Sequence, residues 1–101
     1  MTQIYQIVLD GQLGQRAGTL SWTEENGDVN GTFSLLGFDN PVQGKRLGQR
    51  LELFHNLRTA VSVLSCRTLA EIRGDELFGV VNSRRSAMNF HGKKQEERTT
   101  V

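Results

Sequence analysis

Apolar and polar residues alternate with period two along most of this chain, and no stretch of ten or more residues carries a 3.6-residue stripe. The pattern is that of half-buried strands. Ala17-Gly18-Thr19-Leu20-Ser21-Trp22 and Asn30-Gly31-Thr32-Phe33-Ser34-Leu35 each place a glycine ahead of alternating hydroxyl and apolar side chains. Gly18, Gly31 and Gly44 lie 13 residues apart, as do Gly79 and Gly92, a spacing of one strand plus one turn. The alternation predicts strands over residues 3–10, 16–24, 28–36, 42–46, 50–57, 59–73, 76–83 and 86–93. The sixth is too long for one regular strand, so a bulge or break is expected at Ser65 and Cys66. Glu25-Asn26-Gly27 and Gly74-Asp75 supply residues that tolerate positive φ, and Asp39-Asn40-Pro41 reads as a change of direction.

Eight short strands joined by short turns predict an all-β fold, an antiparallel up-and-down meander closed into a barrel, which removes unpaired edges. Its inward alternates are Gly18, Leu20 and Trp22; Val29, Gly31, Phe33 and Leu35; Leu51, Leu53, His55 and Leu57; Leu77 and Val81; and Met88, Phe90 and Gly92. An eight-stranded barrel is just filled by side chains or holds one small ligand. The length of 101 residues, 37% of them hydrophobic, gives one barrel domain over residues 1–92. Residues 93–101, KKQEERTTV, carry no apolar periodicity and read as a flexible tail.

The run GTLSW, the segment GDVNGTFSLLGFDNPVQG, Thr59 to Val61 and the closing Phe90-His91-Gly92 resemble a group of small bacterial proteins. That group repeats glycine-apolar strands around a central LLGxxNP turn. The resemblance spans residues 4 to 92 and implies no activity, so it transfers no functional residues. In the fifth strand this chain has His55 where the group's pattern implies glycine. The architecture is also similar to the calycin style of barrel, which includes the lipocalin, fatty-acid-binding and avidin barrels, as a likeness of shape.

Charge and cysteine usage narrow the function classes. A single cysteine, Cys66, forbids an intrachain disulfide and fits a reducing, cytoplasmic setting. The first residues lack a basic leader, and no window is long enough for a transmembrane helix, so no membrane partner is expected. A net charge of +1 and few aromatics among the basic residues argue against nucleic acid. Two histidines and one cysteine lack metal-ligand spacing, so neither a metal nor another cofactor is expected. A Cys66 nucleophile with His55 or His91 as base would lack a third, orienting group, and the carboxylates form no catalytic pair. An enzyme is therefore not the expected reading.

Two functions fit. The favoured one is a noncatalytic barrel binding a small apolar or amphipathic ligand, with Trp22, Phe33, Leu53 and Phe90 as walls and His55 as polar anchor. Arg16, Arg58, Arg84 and Arg85 gather at one mouth in this topology and form a candidate anion-binding rim. The alternative is a filled barrel that associates with itself or another protein through Leu36, Phe38, Leu47 and Phe78, which point outward or sit in turns. A homodimer would cover them.

Overall fold

The computed structural model describes residues 2–11, 14–84 and 86–95. Eight antiparallel strands run in chain order: β1 (Thr2–Gly11), β2 (Gly14–Glu25), β3 (Asp28–Leu35), β4 (Phe38–Leu47), β5 (Arg50–Arg58), β6 (Val63–Arg73), β7 (Glu76–Asn82) and β8 (Ala87–Lys94). Each pairs with its neighbours, and β8 returns to β1 from Tyr5↔Lys94 to Leu9↔Phe90, closing the barrel. No helix is present among the described residues, so none is long and apolar enough to cross a membrane.

Burial follows the alternation. Along β5, Leu51, Leu53, His55 and Leu57 are buried while Phe54, Asn56 and Arg58 are exposed. All the predicted inward side chains lie on the interior register, and Tyr5, Ile7 and Leu9 of β1 join them in one hydrophobic cluster. The glycines permit the tight curvature. Gly31 stands between Trp22 and Val42, and Gly44 between Val29 and Leu53, and in both places the backbone of an adjoining strand takes the space that a Cβ would fill.

Three local expectations need correction. The sixth run breaks at residues 59–62 rather than at Ser65 and Cys66, and β6 pairs without a bulge on both sides. The break is a hydroxyl-built loop: Thr59 N–H donates to the Ser62 carbonyl at 2.8 Å, and Thr59 Oγ1 accepts from the N–H groups of Val61 and Ser62. Second, Asp39-Asn40-Pro41 is not a turn but the first part of β4, and the chain reverses at Leu36 and Gly37. Their φ values of 57° and 83° match the 53° and 85° of Asn26 and Gly27 in the preceding hairpin. Both are primed turns, whose twist suits the flanking strands. A leucine there is strained, because its Cβ crowds the backbone at positive φ. Third, β8 extends one residue beyond the expected strand end at residue 93: Lys94 pairs with Tyr5, and Gln95 N–H donates to the Ile4 carbonyl. The rest of the sequence-assigned tail, residues 96–101, lies outside the described residues.

Candidate functional site

The interior residues proposed as ligand walls, Trp22, Phe33, Leu53 and Phe90, belong to one buried hydrophobic cluster. Phe33 lies 5.3 Å from the His55 ring and 5.8 Å from Phe90, centroid to centroid, the latter edge-on. Trp22 stacks on Tyr5 at 5.2 Å with the rings 1° from parallel. Leu53 stands in register with Thr68 on β6 and Gly44 on β4. Leu20, Phe33, Leu53, Leu77 and Val81 are each 0% exposed. A water-sized sphere reaches them neither from outside nor from within, so no water-sized cavity adjoins these five side chains.

His55 is fixed by two hydrogen bonds. Its Nδ1 lies 3.0 Å from the Asn56 carbonyl and its Nε2 2.6 Å from Thr68 Oγ1. A carbonyl can only accept, so Nδ1 carries the proton and Nε2 accepts from the Thr68 hydroxyl. Burial lowers the pKa of the ring below its ordinary value, opposed in part by the Asn56 carbonyl, which favours the protonated form. Cys66 sits directly opposite on β6, its thiol directed at the Leu64 carbonyl at 3.6 Å. Burial pushes that thiol's pKa up, away from the thiolate a nucleophile needs. The two residues of the nucleophile reading are therefore neighbours whose polar atoms are engaged elsewhere.

The neutral, buried imidazole sets a pH dependence. In the unfolded chain His55 takes up a proton near the model-peptide value of about 6.5; in the fold it does so only at lower pH. Between those two values the unfolded state binds more protons, so acidification destabilises the fold, and the stability is complete above the unfolded value. Urea midpoints measured from pH 8 down to 5 should fall below about pH 6.5. In His55→Gln that part of the fall should be missing, and an identical profile in both proteins would refute the assignment.

Polar residues that the alternation did not single out do structural work near both ends. The β4–β5 ladder stops at Val42↔His55, next to Pro41, which has no N–H to donate. Beyond that point the Asn40 side chain spans the gap: Nδ2 donates to the Phe33 carbonyl at 2.9 Å, and Oδ1 accepts from Arg58 N–H at 3.0 Å. Asn40 is buried. At the opposite end Arg46 donates to Glu24 Oε2 at 3.1 Å and to the Gly48 carbonyl at 2.9 Å. These residues share the alternates of recognised interior positions: Asn40 and Arg46 with Val42, Glu24 with Trp22.

The predicted rim is assembled in part. Arg16, Arg58 and Arg84 stand at the end of the barrel that bears the β3–β4 and β5–β6 turns, and all three are exposed. Arg16 lies on the inward alternate of β2 and donates to the Gln15 carbonyl; Arg58 lies on the outward alternate of β5. Arg85 lies outside the described residues. No group of three or more histidine, cysteine or acidic side chains disposed to hold a metal occurs among the described residues. The outer wall carries a shallow groove of about 420 Å³, lined by residues of β3, β4 and β5 that include Asn30, Gln43, Lys45 and Phe54. No protein-family model matches the chain, and no curated protein matches it in sequence.

Proposed function

We propose that the protein is a noncatalytic binding barrel whose interior serves as fill and whose outer wall makes the contacts, with a second copy of the chain as partner. The observation that carries this reading is the interior itself. Its rings pack in pairs, Tyr5 on Trp22 and Phe33 on both His55 and Phe90, all of them buried, and both nitrogens of His55 are satisfied within the chain. An interior in which Leu20, Phe33, Leu53, Leu77 and Val81 adjoin no water-sized space favours the outside surface for recognition. That surface exposes Leu36, Phe38, Leu47, Phe54, Leu69 and Phe78. It also carries the Glu52–Arg67 and Glu71–Arg73 pairs on the strands, unlike the apolar band of a lipid-facing barrel. A bacterial origin, kinship with the small glycine-repeat barrels and a reducing cytoplasm belong to the same proposal; the unpaired Cys66 thiol supports the last.

A second reading, the small amphipathic ligand, has one observation in its favour. Trp22 Nε1 is buried and has no hydrogen-bond partner among the described residues, and a donor in that state costs about 1–3 kcal/mol unless something supplies an acceptor. Native mass spectrometry separates the two readings. Protein purified without added ligand should appear as a dimer with no extra mass. A co-purified small molecule, lost in His55→Ala, would replace the fill reading with the ligand reading.

A further inference from the structure

We propose that the copies of this chain meet through the groove over β3, β4 and β5, each inserting Phe54 into the groove of the other. The inference rests on the self-association reading above and assigns it a surface. Closure of the barrel pairs β8 with β1, so the sheet has no terminal strand for a copy to extend; the stretches that lack a ladder partner on one side are short, among them residues 14–18 of β2, 38–41 of β4 and 63–66 of β6, which favours contact through a face. The face over β3, β4 and β5 holds a hollow and, at its border, a projection. The groove offers about 420 Å³, and the outward-facing Phe54 beside it is 52% exposed.

A two-fold contact places one patch against itself, so the patch must be complementary to itself. The register supplies that. Lys45 stands between Asp28 and Glu52 in one outward row, and Gln43 stands between Asn30 and Phe54 in the next. Basic and acidic groups therefore lie side by side, and the two carboxamides each offer a donor and an acceptor to their counterparts. Glu52 is held by Arg67 within the chain, whereas Asp28 and Lys45 form no ion pair among the described residues. Leu69, diagonal to Phe54 on β6, is also exposed and extends the apolar border. The outward-facing Phe78 already carries the Arg73 guanidinium 5.3 Å above its centroid.

Sedimentation equilibrium tests the face with three variants. Phe54→Glu removes the projection, and Gln43→Trp fills the hollow; both positions point outward, and circular dichroism checks that each variant folds. Each should raise the dimer dissociation constant at least about 30-fold, the weakening expected for losing a central aromatic contact. Phe78→Glu should leave it unchanged. A wild-type dimer insensitive to both groove variants, or one broken by Phe78→Glu alone, overturns this face while self-association stands. A wild-type chain that remains monomeric up to its solubility limit overturns the surface and the self-association reading together.

Discussion

Gly31→Ala and Gly44→Ala are each expected to destabilise the barrel by about 3 kcal/mol or more, enough to leave much of a marginal domain unfolded. A methyl group on Gly31 would overlap the Ser21 carbonyl oxygen and lie 2.7 Å from Trp22 Cα; on Gly44 it would overlap the Glu52 carbonyl oxygen and lie 2.9 Å from Leu53 Cα. These obstacles are backbone atoms of the adjoining strand. No rotamer change relieves them, so the strands would have to separate and take Trp22 and Leu53 out of register. Gly48→Ala is the control: its φ of 60° is unfavourable for alanine, but open space surrounds it, and the cost should be about 1–2 kcal/mol. Urea unfolding followed by Trp22 fluorescence ranks the three. Equal midpoints for Gly31→Ala and Gly48→Ala would mean that the strands are not so close.

Asn40→Ala should cost about 1–3 kcal/mol, although the residue replaced is a small polar one. Its side chain closes the wall where the β4–β5 ladder ends, and its removal leaves the Arg58 N–H without its acceptor, while the Phe33 carbonyl loses one donor but keeps its place opposite Asn40 in the β3–β4 ladder. An orphaned donor costs about 1–3 kcal/mol. Asn40→Asp should not rescue the loss, because it keeps the acceptor for Arg58 but puts a carboxylate against the Phe33 carbonyl. Thermal unfolding of the two variants checks this. A change under about 0.5 kcal/mol in Asn40→Ala, the scatter of ordinary surface substitutions, would show that the bridge contributes nothing.

The same residue shows where reading the sequence ends. Strand number, closure and the inward face were legible because period-two alternation and the repeated glycines are local signals, and burial fixes which alternate faces in. The start of β4 was not legible. Asn and Pro are ordinary turn residues, and nothing local reveals that Asn40 faces a gap in the ladder or that Pro41 needs no partner there. Leu36 concealed the true turn, since a leucine at positive φ is a state its own side chain opposes. The loop at Thr59 was hidden for a related reason: Thr59, Val61 and Val63 all favour strands, and the hydroxyl cage that holds the loop exists only once the chain has turned.

The interior site was half legible. Alternation placed His55 among apolar neighbours, and a buried ring satisfied by hydroxyl and backbone groups is what the structure contains. Its partner Thr68 lies 13 residues away and becomes a neighbour only through the β5–β6 register, which depends on the loop that sequence misplaced. Arg16, Arg58 and Arg84 share one end because alternate turns of a meander share an end. Whether each points into the mouth is a matter of strand parity, and Arg16 and Arg58 differ in it.

The most direct test is a crystal structure of the protein purified with no added ligand, examined inside the barrel. A filled interior requires Leu20, Trp22, Phe33, Leu53 and Phe90 to meet in van der Waals contact, with no more than a single water beside Trp22 Nε1. Connected density for a foreign molecule among those side chains, in a cavity of about 300 Å³ or more, would contradict it.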